Sequence, residues 1–241
     1  MTNKSPYTSK IKIFADGADK AAMLELNKNP LIQGMTTNPT LMKKAGIKDY
    51  RGFCKEILTE IKTKPLSFEV FADDFKEMER QAMEITSWGN NVYTKIPITN
   101  SEGQSSIPLI KKLAQSGVKL NVTALLTLKQ VVETCDAVKG GAPSIVSVFA
   151  GRVADTGRDP IPLMQASLEL CQNAGPEVEL LWASSRELFN VIQADVIGCH
   201  IITATPDIIA KLSMLNKDLT SLSLDTVRMF KKDAETAGFQ L

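Results

Sequence analysis

The sequence predicts an α/β protein, a single (β/α)8 TIM barrel with an additional C-terminal helix. Three observations carry this expectation. Short apolar or β-branched runs alternate with longer segments of helical period, and the alternation is unbroken. Eight such pairs can be counted, the number that closes a parallel sheet on itself. A chain of 241 residues with 44% hydrophobic content suits one large core.

The elements follow in order. Ile11–Ala15 reads as a strand and Asp19–Leu26 as its helix. Leu31–Met35 is the second strand, with helical sequence starting at Pro39 or Thr40 and resuming over Tyr50–Ile61. Leu66–Phe71 leads to Phe75–Trp88, and Asn91–Ile96 leads to Gln104–Ser116. Val118–Val122 precedes Thr127–Ala137, and Ser144–Phe149 precedes Ile161–Ala174. Val178–Ala183 precedes Arg186–Ala194, Val196–Thr203 precedes Pro206–Leu215, and a last helix covers about Asp225–Ala237. Asn29-Pro30, Gly89-Asn90, Gly140-Gly141 and Gly175-Pro176 fall where helices should stop. No linker or low-complexity stretch intervenes, so residues 1–241 read as one domain, with 1–10 as an N-terminal extension and about 222–241 as the closing helix. An open doubly wound sheet is the alternative, but no G-x-G-x-x-G turn follows the first strand. The closing helix carries Leu222, Leu224, Val227, Met229 and Phe230, more apolar residues than one free helix needs. It packs across its own barrel or on a neighbour in a homo-oligomer, with the first favoured.

The net charge is +1 with no block of like charge, which argues against a nucleic-acid or membrane partner. Cys54, Cys135, Cys171 and Cys199 are scattered, as expected of free thiols in a reducing cytosol. The polar start, residues 1–10, does not resemble a signal peptide, and no apolar stretch approaches the roughly 18 residues of a membrane span. A soluble, cytoplasmic protein is expected. The one histidine, His200, lies in an apolar run and reads as a packed strand residue, so no metal site is expected.

In such a barrel the chemistry gathers at the carboxyl ends of the strands. Those ends offer Asp16, Asn38, Glu69, Lys95, Asn121 with Thr123, Ser147 and Ser184. Helix capping accounts for several of them singly: Asp16 or Ser184 could cap, and Asn38-Pro39 is a good helix start. Capping does not explain Glu69 or Lys95, which lie inside strand-like runs. A lysine enclosed by protein has its pKa pushed down from about 10.4, and a partly neutral amine is a nucleophile for carbonyls. Lowering it to about 7–8 takes roughly 4 kcal/mol of differential interaction. A carboxylate beside it completes a set for proton transfer around an imine. Arg152 and Arg186 follow the sixth and seventh strands, where such barrels often bind phosphate, and an arginine fork matches phosphate oxygens. Asp155 and Arg158 are nearby candidates for structural ion pairing.

In this order the segments resemble the transaldolase family, in its small branch shared with fructose-6-phosphate aldolase. Gly34-Met35-Thr36-Thr37-Asn38-Pro39-Thr40-Leu41 resembles the first signature, with Met35 where Ile or Val is usual. Lys95-Ile96-Pro97-Ile98-Thr99 resembles the second. Asn121-Val122-Thr123, Ser147-Val148-Phe149-Ala150-Gly151-Arg152 and Ala183-Ser184-Ser185-Arg186 resemble three further segments. Val148, Ala150 and Ser185 depart from the common pattern.

The resemblance implies a transaldolase using sugar phosphates and no cofactor. It would move a dihydroxyacetone unit from sedoheptulose 7-phosphate or fructose 6-phosphate to glyceraldehyde 3-phosphate or erythrose 4-phosphate, as in the non-oxidative pentose phosphate pathway. By the same resemblance Lys95 forms the Schiff base, Asp16 takes the C4 hydroxyl proton, and Glu69 with Thr123 shuttles protons through a water. Asn38 and Asn121 hold the bound three-carbon unit, and Arg152, Ser184 and Arg186 grip phosphate. Thr36, Ser147 and Phe149 complete the substrate-binding set. The aldolase branch tends to carry Gln where this chain has Glu69 and Tyr where it has Phe149, which favours transfer. The alternatives are an aldolase releasing free dihydroxyacetone, a transaldolase for an unusual sugar phosphate, and a barrel that binds sugar phosphates without turnover.

Overall fold

The architecture was taken from a computed structural model, which describes residues 9–240. These form two compact units, Ser9–Ile209 and the chain from Ala210 on. The first unit is the barrel. Its elements are β1 (Lys12–Asp16), α1 (Lys20–Asn27), β2 (Ile32–Thr36), α2 (Pro39–Lys44), α3 (Tyr50–Glu60), β3 (Leu66–Glu69), α4 (Phe75–Thr86), β4 (Val92–Pro97) and α5 (Ile107–Gln115). They continue with β5 (Leu120–Leu125), α6 (Leu128–Val138), β6 (Ser144–Val148), α7 (Ala150–Ala154), α8 (Ile161–Ala174), β7 (Val178–Trp182), α9 (Phe189–Val196), β8 (Ile201–Ala204) and α10 (Pro206–Ala210). All eight strands are parallel, and β8 returns to pair with β1, closing the sheet. The (β/α)8 barrel expected from the alternation is therefore present.

The strands are apolar on both faces because the helices cover the outside and side chains fill the inside. β6 is buried at every position, and β8 likewise. Inside the barrel Phe14 packs with Ile145, Leu181, Ala183 and Ile201. The ring of Phe14 lies so close to the β2 backbone that a Cβ on Gly34 would sit 2.5 Å from it, which is why β2 carries a glycine there.

Several boundaries differ from the sequence expectation. Val196 belongs to the end of α9 and is 80% exposed, and β8 starts five residues later. Gly198 adopts φ +73°, the left-handed turn that stops a helix, so the β-branched run is cut before the strand begins. His200 consequently precedes β8 instead of lying within it; its Nδ1 accepts the Leu180 N–H at 2.9 Å. Helix α9 starts at Phe189, so Arg186 lies in the preceding loop. The one-turn helix α7 was not anticipated, being too short for periodicity to register.

In the second unit, a 3-10 turn (Lys211–Met214) is followed by α11 (Leu219–Ala237). α11 begins six residues earlier than expected because Asp218 caps it, accepting from the Ser221 N–H at 2.8 Å. None of its 19 residues is buried. Leu224, Val227, Met229 and Phe230, expected to be covered, are exposed in the single chain. No helix among the described residues is long and apolar enough to cross a membrane.

Candidate active site

A cavity of about 430 Å³ opens at the carboxyl ends of the strands. Its lining includes Asp16, Thr36, Asn38, Glu69, Lys95, Asn121, Thr123, Ser147, Phe149, Arg152 and Ser184. Of the residues expected to act together, only Arg186 is absent from this lining.

The barrel register explains the convergence. Glu69 of β3 lies opposite Lys95 of β4, and Lys95 lies opposite Asn121 of β5. Their side chains share one level of the mouth because adjacent parallel strands present register partners on the same face. Lys95 is buried, and its Nζ sits 3.1 Å from Glu69 Oε2 and donates to the Thr37 carbonyl at 2.8 Å. Removing one member of such a buried pair would strand the other without a partner.

Asp16 ends β1. The first helix is capped by Asp19, which accepts from the Ala22 N–H, so Asp16 is not needed as a cap. Its Oδ1 accepts from Thr36 Oγ1 at 2.7 Å. Thr36 has one hydroxyl proton and uses it here, so the 2.6 Å contact between Thr36 and Thr203 is donated by Thr203. Burial pushes the Asp16 carboxyl above the ordinary value of 3.8, and the Glu69 charge adds to this. The Lys95 charge and the Thr36 hydrogen bond pull in the other direction but do not cancel it. A carboxylate held this way is a stronger base than an exposed one.

Asn121 is fully buried and oriented from both sides, donating to Ser67 Oγ at 3.0 Å and accepting from Ser147 Oγ at 2.6 Å. Asn38 is both cap and pocket residue: its Oδ1 accepts from the Leu41 N–H, which leaves the amide nitrogen for the cavity. Thr123 Oγ1 is buried and makes no hydrogen bond among the described residues, unusual for a hydroxyl sealed from solvent. Its neighbour Ala124 has φ +64°, a strained left-handed conformation at the pocket wall.

On the β6–β7 side, Arg152 projects from α7 with its guanidinium 5.7 Å from the Phe149 ring centroid. Gly151 is required there: a Cβ would lie 1.7 Å from the Ser184 carbonyl oxygen. Ser184 itself has φ +63° and caps no helix. Arg186 donates through Nε and Nη2 to Asp155, at 3.0 and 2.5 Å, and through Nη1 to the Ser184 carbonyl at 2.9 Å. Asp155 is thus a partner of Arg186, while Arg158 donates to Thr156 Oγ1.

Two polar groups that support the pocket escaped the sequence reading. Thr203, at the end of β8, completes the Asp16–Thr36 chain; it is the polar residue closing the eighth apolar run, the one signal that could have flagged it. Ser67 orients Asn121 from within β3, and a serine inside a strand carries no comparable signal.

The model of the family described as Transaldolase/Fructose-6-phosphate aldolase matches residues 13–241. A "Probable transaldolase" of Thermoanaerobacter sp. is 33% identical over 231 residues, spanning 96% of this chain and all of that protein. One of the same name from Methanococcus vannielii is 34% identical over 215 residues, covering 89% and 94% of the two chains. Among solved structures, KGPDC from Streptococcus mutans superposes with a TM-score of 0.56 at 10% identity. That match covers 81% of this chain and 88% of the other, a likeness of fold alone. With a family model spanning nearly the whole barrel and full-length relatives above 30% identity, this chain belongs to the transaldolase/fructose-6-phosphate aldolase family.

Proposed function

We propose that this barrel is a transaldolase working through a Schiff base on Lys95. The donor is sedoheptulose 7-phosphate or fructose 6-phosphate, and the acceptor is glyceraldehyde 3-phosphate or erythrose 4-phosphate. The observation that carries the reading is a buried lysine amine 3.1 Å from Glu69, in the same cavity as Asp16.

Lys95 Nζ attacks C2 of the ketose, and loss of water leaves a protonated imine. Glu69 accepts the proton that the amine sheds and returns one to the departing hydroxyl. Thr123, whose hydroxyl has no protein partner among the described residues, is suited to hold the water through which these protons pass. Asp16 then takes the C4 hydroxyl proton while the C3–C4 electron pair moves into the imine. The aldose phosphate leaves and an enamine stays on Lys95. The protonated imine is the electron sink, so the chain's own residues suffice without a cofactor. Asn121 and Asn38 hold the three-carbon unit until the acceptor arrives, and the steps run in reverse. Arg152, with Ser184 and Arg186, takes the phosphate. Phe149 offers no hydroxyl at the pocket wall to activate water, which favours transfer over hydrolytic release. A cytoplasmic sugar-phosphate pathway would be the natural setting.

The test is borohydride reduction in the presence of fructose 6-phosphate, followed by mass mapping, with sedoheptulose 7-phosphate assayed after adding erythrose 4-phosphate. An adduct on Lys95 together with that product is expected. Binding of fructose 6-phosphate without an adduct would refute the reading, and acceptor-free release of dihydroxyacetone at a comparable rate would replace it with an aldolase.

A further inference from the structure

β3 meets β4 along its whole length but meets β2 only through Leu66 and Ser67. Alternate residues of a parallel strand bond to opposite neighbours. On the β4 side, the Leu66 N–H donates to Asn91 and the Val70 N–H to Lys95. On the β2 side, the Thr37 N–H donates to the Ser67 carbonyl at 3.2 Å. Continuing that ladder by one step would send the Glu69 N–H to the Thr37 carbonyl. The bond is absent because β2 has already turned toward Asn38 and Pro39, and the Thr37 carbonyl accepts from Lys95 Nζ instead.

The Glu69 backbone is satisfied from elsewhere. Tyr50, the first residue of α3, accepts the Glu69 N–H at 2.9 Å and donates to the Glu69 carbonyl at 2.8 Å. One phenol thus supplies both halves of a missing strand partner. Its ring is wedged by Phe71, edge-on with centroids 5.4 Å apart, and by Trp88 at 6.4 Å. Tyr50 does not line the cavity.

We infer that Tyr50 is a positioning residue for the reactive pair: its hydroxyl takes the ladder role of the Thr37 carbonyl, freeing that carbonyl for Lys95 and fixing Glu69 beside the amine. Tyr50→Phe leaves the Glu69 N–H to compete with Lys95 for the Thr37 carbonyl, so both groups move. The kinetic part of this inference rests on the Schiff-base reading, and the experiment separates the two.

Two readouts are needed. The borohydride-trapping rate with fructose 6-phosphate should fall on the order of 100-fold in Tyr50→Phe, the scale of small misplacements in active sites, with little change in KM. Against a Glu69→Gln background the same substitution should cost much less, since both act on one pair. Lysine-selective 15N NMR at one neutral pH should show the Lys95 Nζ chemical shift displaced in Tyr50→Phe, a readout independent of turnover. Failure of wild-type protein to form an adduct overturns the Schiff-base reading, and the NMR chemical shift alone then decides the role of Tyr50. An unmoved Lys95 Nζ chemical shift, or losses that simply multiply with those of Glu69→Gln, overturns the positioning role. If Tyr50→Phe does not fold, 3-fluorotyrosine at position 50 keeps the shape and the hydroxyl but weakens the phenol oxygen as acceptor of the Glu69 N–H. The Lys95 Nζ chemical shift should then still move, and constancy would overturn the inference.

Discussion

On the β1–β5 side of the barrel mouth, Asp16, Glu69, Lys95 and Asn121 are buried or half-buried, and each is held by a specific partner. On the β6–β7 side, Arg152 and Arg186 are exposed, and Arg186 shares its charge with an equally exposed Asp155. In the enclosed half, little water reaches a group to screen or substitute for it, so under the proposed mechanism the loss of any one would act directly on the reaction. In the open half, solvent and salt screen the charges, so under the same mechanism an arginine there would contribute to holding substrate and little to bond breaking. Under the proposed mechanism, chemistry would fall to one side and anion binding to the other.

Substitutions can break this division, beginning with the greatest expected loss. Lys95→Ala should abolish both adduct and turnover, and retention of measurable transfer would end the assignment. Asp16→Asn should lower kcat by about 10²- to 10⁴-fold, the range for a positioned acid–base group, while leaving adduct formation largely intact. The same substitution should raise thermal stability near neutral pH. Because burial raises the Asp16 pKa, the folded state keeps its proton to higher pH than the unfolded chain. Its contribution to stability is present at low pH and declines as pH rises from 3.8 through the raised value. Melting curves of the two proteins should therefore diverge as pH increases across that window, and parallel curves would contradict it.

Arg152→Ala tests the open half. Losing a charge-assisted hydrogen bond of about 1.5–3 kcal/mol should raise KM for phosphorylated donors roughly 10- to 100-fold, with kcat affected less. Reaction with unphosphorylated dihydroxyacetone should be nearly unaffected, so an equal loss for both substrates would move Arg152 into the chemical half. The smallest effect is expected from Asp155→Asn, which releases Arg186 from its bidentate partner. KM for phosphorylated donors should shift by less than in Arg152→Ala, more visibly at low salt, and steady-state kinetics at two ionic strengths would detect it.

The buried half was largely legible because its strands announced themselves. Glu69 and Lys95 interrupt apolar runs, and a charge in such a place has few structural reasons to exist. Asp16 and Asn38 were ambiguous, since both residue types cap helices. The structure resolves them differently: Asp19 does the capping after β1, and Asn38 caps and lines the cavity together. The open half was less legible. Arg186 was expected to open a helix at the cavity, but the helix starts three residues later and Asp155 holds the guanidinium. Nothing in sequence spacing marks a pair 31 residues apart.

The sequence by itself determined the eightfold alternation, the closed parallel sheet and the residue types at most strand ends. Those depend on periodicity and local propensity, which one chain carries in plain order. Only the tertiary structure decided that Thr203 completes the chain to Asp16, that Ser67 orients Asn121, and that Tyr50 stands in for a strand partner beside Glu69. Register between strands and the point at which β2 leaves β3 are properties of chain closure, and closure brings together atoms that no local pattern connects.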